Sequence, residues 1–240
     1  MPPANLKITL PGGFSFDMVY VEGGEFLMGS NEHDDEKPIH RVKVSSFYMG
    51  KHQVTQRLWQ NLTKENPSVD KGENRPVENV SWDMTRDFIK KLNLGIPEGN
   101  MRLPTEAEWE FAARGGIYSQ GYTYAGSDKL KQVGWYYDEN SGGESHEAGL
   151  LRPNELGLYD MSGNVWEWCE DDWHDNYDGA PKDGFAWIDS PGRGVYRVLR
   201  GGSSFFDAAY CRSAYRYRYT PGYRFNNYGF RLCLSLQSVG

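Results

Sequence analysis

The chain has 240 residues and no linker-like stretch, so we expect a single domain, residues 1–240, with one sizeable core. Aromatic residues make up 15% of the chain, which argues against disorder. The net charge of −7 disfavours a dedicated nucleic-acid binder, so we expect no nucleic-acid partner. We also expect the protein to be a monomer.

Two strand signals open the chain. Residues 18–30, MVYVEGGEFLMGS, alternate apolar and polar side chains around Gly23 and Gly24, a pair typical of a tight turn, so a β-hairpin is predicted there. Residues 40–50, HRVKVSSFYMG, are predicted to form one further strand.

Three helices are predicted from their capping residues. A first helix follows Thr55 over residues 56–65, and a second follows Ser81. In the third, Thr105 supplies the cap and Glu108 stands at the capping-box position, before a glycine pair ends the helix.

The second half of the chain is predicted to be rich in loops. Residues 116–194 contain many Gly, Asn, Asp, Tyr and Trp residues without sustained periodicity. Short strands are predicted at 157–161, 197–202 and 229–235, where they would form an antiparallel sheet beneath the loops.

Little in the sequence suggests a thiol pair, a metal centre or a membrane span. Cys169, Cys211 and Cys233 lack CxxC spacing and are predicted to be buried thiols. The five histidines show no ligand spacing, so no iron site is expected. No apolar run has the length of a membrane-spanning helix, and the first residues lack the apolar stretch of a secretion signal, so we expect no membrane-spanning segment.

The acidic residues of the first half form no evident acid/base pair. Glu108 is explained by the helix cap, and Glu36, Glu106 and Glu110 are expected to be solvated.

The segment 204–228 has an unusual composition. Nine of its 25 residues are Tyr or Phe and four are Arg, whereas Trp, Lys, Glu, Gln and Met are absent. Those five types account for 49 of the 240 residues, so about five of them would be expected in 25 residues. All 25 residues can be encoded by codons ending in C, a pattern that randomising the adenines of AAC codons would leave.

The composition favours a binding surface over a core strand. Tyr and Arg dominate evolved binding surfaces because they supply rigid contact area and planar hydrogen-bonding groups. A half-buried core strand would also alternate, as YRYRY at 215–219 does. The density of hydroxyl groups, each needing a hydrogen-bond partner if buried, nevertheless favours the surface. Arg216 and Arg218 are expected to support the scaffold.

Several segments together resemble the formylglycine-generating enzyme (sulfatase-modifying factor) family. They occur in the family's order and cover nearly the whole chain: GGEFLMGS, HRVKVSSFYMGKHQVTQ, RPVENVSW, RLPTEAEWEFAARGG, NELGLYDMSGNVWEWCEDDW, RVLRGGS and GFRLCLS. The resemblance implies a C-type-lectin-like α+β fold with little regular secondary structure.

Family enzymes that oxidise a sulfatase cysteine use two cysteines in the segment after GGS to hold copper. The second of these positions is matched by Cys211, but the first falls on Phe206, which can neither bind a metal nor form a thiolate. Ser203 stands where the enzymes carry an active-site serine, and here it is expected to be a structural turn residue. The resemblance therefore implies no catalytic copper and no oxidase activity, with a copper-dependent formylglycine-generating oxidoreductase as the disfavoured alternative.

The chain also resembles a subgroup of this fold, the variable proteins of diversity-generating retroelements, which include a treponemal variable protein. The resemblance implies a non-enzymatic, receptor-like protein of the cell surface or extracellular space, whose hypervariable region 204–228 recognises a macromolecular partner, expected to be a protein. The scaffold positions expected to stay fixed are Cys211, Arg212, Ala214, Arg216, Pro221 and Gly222. The positions expected to vary and bind carry residues reachable from AAC, namely Phe205, Phe206, Asp207, Tyr210, Tyr215, Tyr217, Tyr219, Tyr223, Phe225, Asn226 and Asn227.

Family members place a calcium ion on the motif DMSGNVWE. The matching positions imply oxygen donors from Asp160, Gly163, Val165 and Glu167, and hard oxygen donors suit calcium. The ion would brace loops, and the alternative is a structural turn without metal.

A third class, an inert lectin-like module, would bury the aromatic segment. If the segment instead points outward, replacing Phe206, Tyr210 or Tyr217 by Asn or Ser should change the free energy of unfolding by less than about 1 kcal/mol. Replacing Trp166 by Ala should cost about 3 to 5 kcal/mol.

Overall fold

The computed structural model describes residues 4–96, 100–138 and 142–236. Within these ranges the chain forms three α-helices and eleven short strands joined by long loops, as the sequence predicts for an α+β fold with little regular secondary structure. Five strands form a first, antiparallel sheet, here in spatial order: β1 (Leu6–Thr9), β2 (Ser15–Val21), β5 (Phe47–Gly50), β11 (Cys233–Ser235) and β6 (Met101–Arg102).

A second sheet carries the aromatic segment of the C-terminal region. Its four strands, in spatial order, are β10 (Tyr228–Gly229), β7 (Trp166–Asp172), β8 (Arg197–Arg200) and β9 (Arg216–Tyr219). β10 lies parallel to β7, and the other neighbours are antiparallel. β9 lies at the edge of this sheet, and its Tyr217 pairs in register with Leu199 of the neighbouring strand β8.

The predicted hairpin over 18–30 is wrong. β2 belongs to the first sheet, whereas β3 (Gly24–Met28) pairs with β4 (His40–Val44) in a separate two-stranded sheet. Gly23 is needed for close packing rather than for a hairpin, because a Cβ there would lie 2.5 Å from the carbonyl oxygen of Val44. The single strand predicted over 40–50 is likewise divided between β4 and β5.

All three helices are confirmed with their caps: α1 (Gln56–Thr63), α2 (Trp82–Gly95) and α3 (Glu106–Ala113). The side chains of Thr55, Ser81 and Thr105 each accept a backbone N–H of the first turn, and Glu108 completes the capping box with Thr105.

Three predictions for the second half need correction. The strand predicted over 229–235 is divided between β10 and β11, which belong to different sheets. Residues 157–161 form no strand, and Asp160 adopts a positive φ of 56°. β7 lies inside the region predicted to be loops, because this strand is buried on both faces and so lacks the alternation of a half-buried strand.

The core is built from aromatic rings as well as aliphatic side chains. Trp109, Trp166 and Trp168 are fully buried, and the three cysteines are free and buried, as predicted. Among the described residues, no helix has the length and apolar character to cross a membrane.

Candidate ligand-binding surface

Strand β9 has two different faces, as the alternation of side chains along a strand requires. Arg216 and Arg218 lie on one face, with Arg216 buried and Arg218 exposed. Tyr217 and Tyr219 lie on the other face and are both half-buried. The YRYRY pattern therefore belongs to an edge strand whose tyrosine face is partly open to solvent.

Four aromatic side chains of the segment gather around the buried indole of Trp166. Tyr217 stacks on it with ring centroids 5.2 Å apart, and Phe206 meets it edge-on at 5.7 Å. Tyr215 lies 6.1 Å from Trp166, and Tyr210 contacts Phe206 at 5.1 Å and Tyr215 at 4.9 Å. Since Trp166 is 0% exposed, it forms a floor beneath these rings.

Three further rings continue this arrangement beyond β9. Tyr219 and Tyr223 stack with centroids 3.9 Å apart, and Phe225 lies 6.4 Å from Tyr223. Beneath them is the buried ring of Tyr228, at 5.9 Å from Tyr219 and 6.1 Å from Phe225. Burial raises the pKa of the Tyr228 hydroxyl well above its ordinary value, and the neighbouring Tyr217, Tyr219 and Tyr223 add to the shift.

We call these seven rings the aromatic surface: Phe206, Tyr210, Tyr215, Tyr217, Tyr219, Tyr223 and Phe225. Tyr223 is 37% exposed and Phe225 is 47% exposed, and the other five are half-buried. Burial raises the pKa of Tyr215 to about 12, so its hydroxyl stays protonated and able to donate a hydrogen bond at neutral pH. The aromatic surface is thus supported by core on one side and accessible on the other.

The remaining predicted binding residues differ in exposure. Asp207 is exposed, and Phe205 and Asn226 are half-buried. Asn227 is fully buried and donates its side-chain amide to Ser203 Oγ at 3.0 Å. Asn227 was expected to vary and bind, but the structure places its side chain under the surface, where it braces Ser203.

Arg216 holds the other face of β9 to helix α3. Its guanidinium forms a bidentate ion pair with Glu106, with Nε–Oε1 at 2.7 Å and Nη2–Oε2 at 2.9 Å. The same guanidinium lies 4.1 Å from the ring centroid of Tyr177 and 4.4 Å from that of Trp173. A charge that is buried in this way requires such partners, so Arg216 is scaffold.

The expectation that Glu36, Glu106 and Glu110 are solvated is wrong. All three are buried, and each pairs with an arginine of the C-terminal region. Glu110 binds Arg200 with 2.5 Å between Oε2 and Nη2, while Glu36 binds Arg212 with 2.6 Å between Oε1 and Nη2. These ion pairs connect α3 to strands β8 and β9, and they connect the loop before β4 to the loop that precedes β9.

The turn before the aromatic segment is closely packed. Gly202 has a φ of +73°, and a Cβ there would lie 2.6 Å from the sulfur of Cys211. Burial raises the pKa of Cys211 to about 12, so this thiol is not a thiolate at neutral pH. Phe206 occupies the position of the first cysteine of the family enzymes, so the segment after Gly202 does not carry their pair of thiols. Among the described residues, no group of three or more His, Cys, Asp or Glu side chains is placed to hold a metal ion.

Arg218 lies at the boundary between scaffold and surface. It pairs with Asp175, and its guanidinium lies 4.9 Å from the ring of Trp173 and 5.2 Å from that of Tyr196. Its side chain remains 43% exposed, so Arg218 is both a support for β9 and accessible to a ligand.

The four predicted calcium positions converge on the side-chain nitrogen of Gln53. Gln53 Nε2 lies 2.8 Å from the carbonyl oxygen of Val165 and 3.0 Å from Glu167 Oε1. The carbonyl oxygens of Asp160 and Gly163 lie 3.3 and 3.4 Å from the same nitrogen. Four acceptors therefore surround one amide group that has only two hydrogens to donate.

Two buried oxygen atoms at this site, Gln53 Oε1 and Asp160 Oδ1, have no hydrogen-bond partner among the described residues. Glu167 forms a bidentate ion pair with Arg231, with Nε–Oε2 at 2.6 Å and Nη2–Oε1 at 2.7 Å, so its charge is already balanced. The donor set is made of hard oxygens, as calcium prefers, and the side-chain amide of Gln53 fills its centre.

The fold and the sequence motifs define a class of protein. The chain matches the sulfatase-modifying factor enzyme 1-like domain over residues 14–236, and it belongs to that family. It is 39% identical to the formylglycine-generating enzyme of Streptomyces coelicolor over 176 residues, which cover 66% of this chain and 52% of the enzyme. It is 36% identical over 208 residues to the chaperone protein LppX of Paenibacillus barcinonensis, covering 67% of this chain and 72% of LppX.

A solved structure with the same fold is that of the Treponema denticola variable protein 1. It is 34% identical, with a TM-score of 0.84 over 97% of this chain and 99% of the variable protein. The C-type-lectin-like α+β fold and the resemblance to variable proteins are thereby confirmed. The chain spans 37% of the length of another relative, the serine/threonine-protein kinase pkn1 of Chlamydia caviae, which is 34% identical.

Proposed function

We propose that this protein is a non-enzymatic recognition protein and that its aromatic surface binds a macromolecular partner. The observation that carries the proposal is the division of residues 204–228 into two sets. Arg212 and Arg216 are buried in ion pairs with Glu36 and Glu106, while the neighbouring tyrosines line an accessible surface. Such a division lets surface side chains change without disturbing the scaffold.

The composition of the surface supports a protein partner. Tyrosine rings offer large contact area at low conformational cost, and their hydroxyls adapt to different hydrogen-bonding groups. The net charge of −7 argues against nucleic acid. The fold similarity to the Treponema denticola variable protein 1 is consistent with diversification of this segment.

An oxidase of the formylglycine-generating type is the competing proposal, because the chain has relatives named as such enzymes. Phe206 and the protonated thiol of Cys211 argue against it, since copper chemistry of that type needs two soft thiolates. An inert module is disfavoured by the exposed rings of Tyr223 and Phe225.

We also propose a structural calcium ion at the site around Gln53. Rotation of the Gln53 amide would present its now unpartnered Oε1 in place of Nε2, alongside the oxygens of Asp160, Gly163, Val165 and Glu167. The ion would brace the turn that leads into β7, and β7 carries Trp166, the floor of the aromatic surface.

Diversification is tested on the encoding DNA and its neighbourhood. We expect a near-identical template repeat whose differences from the region encoding 204–228 fall only at template adenines, next to a reverse transcriptase gene. The codons of Tyr223 and Phe225 should differ from the template, whereas those of Arg212 and Cys211 should match it. A repeat with differences at other bases, or no repeat at all, would remove diversification from the proposal.

A further inference from the structure

The β1–β2 hairpin and helix α1 border a cavity of about 310 Å³. Its other walls come from the segment that leads from β5 into α1, from Asn74 and from Leu232. All of these residues lie outside 204–228, and the volume is at the lower end of the range of small-molecule sites. The cavity is therefore a candidate site for a small molecule, separate from the aromatic surface.

Much of the cavity wall is apolar. Val54, Leu58 and Leu232 line it and are 3%, 4% and 2% exposed. Phe14 and Phe16 line it as well and are half-buried. A ring placed against these side chains would lose its contact with water, which favours binding of an apolar group.

Arg57, in the first turn of α1, supplies a cation to the same cavity. Its side chain is 58% exposed, and its guanidinium lies 5.6 Å from the centroid of the Phe14 ring. Glu73 Oε2 is 3.9 Å from Arg57 Nε, which is too far for a hydrogen bond, and the Glu73 side chain is largely exposed. Among the described residues, no group accepts a hydrogen bond from this guanidinium, so its N–H groups are available to a ligand.

The charges around the cavity favour an anion. Lys7 and Asp17 also line it, and they face each other in the register of β1 and β2, so their charges offset each other. Arg57 has only the weak, solvent-screened contact with Glu73, and the first turn of α1 contains no acidic residue. The positive end of the helix therefore adds to the positive potential at Arg57.

We propose that this cavity binds a small aromatic carboxylic acid. The guanidinium of Arg57 would donate two parallel hydrogen bonds to the carboxylate, a planar match that an ammonium group does not offer. The ring of the ligand would pack on Phe14 and Phe16 and against Leu58 and Leu232. This site goes beyond the proposed function, since it uses no part of the aromatic surface, and either one can fail without the other.

The test measures binding of phenylacetate to the whole chain by methyl NMR, with the methyl groups of Leu58 and Leu232 as reporters in the cavity wall. Three matched probes separate the contributions of the ligand: phenylethanol keeps the ring without a charge, phenethylamine reverses the charge, and acetate lacks the ring. Every sample contains a chelator, because Gln53 lines this cavity as well as the proposed calcium site.

Arg57→Met is the test variant, because it removes the charge and keeps the aliphatic stem of the side chain. Arg41→Met is the matched control, because Arg41 is exposed on the separate sheet of β3 and β4. Thermal unfolding of both variants should match that of the unsubstituted protein, since both side chains are largely exposed. A loss of binding is thereby distinguished from a loss of fold.

We expect phenylacetate to shift the methyl resonances of Leu58 and Leu232 until the site is saturated. Kd should be about tenfold higher or more for phenylethanol, for acetate, and for phenylacetate with Arg57→Met, whereas Arg41→Met should leave Kd unchanged. Phenethylamine should bind more weakly than phenylethanol. An equal Kd for phenylethanol and phenylacetate, or an unchanged Kd in Arg57→Met, would overturn the carboxylate site. Shifts confined to other parts of the chain, or no shifts at all, would overturn the cavity as the place of binding.

Discussion

The guanidinium of Arg216 forms a bidentate ion pair with the carboxylate of Glu106, a residue 110 positions earlier in the chain. The next residue, Tyr217, projects to the opposite face of β9 and stacks on Trp166. One strand therefore joins a buried charge pair to a partly open aromatic surface. This arrangement separates the residues that hold the backbone from those that meet solvent.

Breaking the buried pair should destabilise the fold strongly. Arg216→Met leaves the buried Glu106 carboxylate with Arg200 as its remaining cationic partner among the described residues, and we expect a loss of about 3 to 5 kcal/mol in the free energy of unfolding. Arg218→Met is the matched control, because its pair with Asp175 is exposed to solvent and its substitution should leave the free energy of unfolding nearly unchanged. Urea denaturation measures the free energy of unfolding of both variants. Equal losses would show that the buried Arg216–Glu106 pair stabilises the fold no more than the exposed Arg218–Asp175 pair does.

The surface rings should differ in their cost of replacement. Tyr223→Ser should change the free energy of unfolding by less than about 1 kcal/mol, because this ring is 37% exposed. Tyr217→Ser should cost about 1 to 2 kcal/mol, more than the sequence suggested, since the ring is half-buried on Trp166. Trp166→Ala should cost about 3 to 5 kcal/mol. Equal large losses in denaturant unfolding at all three positions would show that the segment is core.

Calcium should stabilise the protein in thermal unfolding. A ligand that binds only the folded state raises Tm as its concentration exceeds Kd, so we expect Tm to rise with millimolar calcium and to fall back on chelation. Gln53→Glu, which adds a carboxylate oxygen at the centre of the site, should enlarge the rise, and Gln53→Leu should remove it. Magnesium is the control, because it tolerates this number of protein oxygens poorly. An unchanged Tm with calcium in the unsubstituted protein would contradict the site.

Copper should not confer oxidase activity. With copper and a peptide carrying a sulfatase cysteine motif, we expect no formylglycine aldehyde by mass spectrometry, because Phe206 replaces one thiol and Cys211 is buried and protonated. The formylglycine-generating enzyme of Streptomyces coelicolor is the positive control. Aldehyde formation by this chain on repeated turnover would reinstate the enzymatic alternative.

The elements that could be predicted from the sequence are those with local causes. The caps at Thr55, Ser81 and Thr105 depend on residues three positions apart, and all three formed as expected. The hairpin around Gly23 failed because Gly23 allows a close approach to Val44 and Gly24 allows one to Ile117, and neither contact is visible in the local sequence.

The interactions that build the site were harder to predict, because they join residues that lie far apart in the sequence. Glu106 was expected to be solvated because nothing near it in the sequence marks Arg216 as its partner. Gln53 lies 107 positions before Asp160, and no local pattern connects it to the calcium motif. The composition of 204–228 indicated the surface itself, but the hydrogen bond that holds the buried Asn227 joins it to Ser203, 24 residues earlier in the chain.

The central claim is that the side chains of 204–228 divide into interchangeable surface and fixed scaffold. The most direct measurement is protease resistance of a displayed library in which each position from 204 to 228 is replaced in turn through NNC codons, with survivors counted by deep sequencing. We predict that Asp207, Tyr223 and Phe225 accept nearly every residue, whereas Arg216 and Cys211 return only the original one. Equal restriction at both sets, or equal tolerance, would contradict the account.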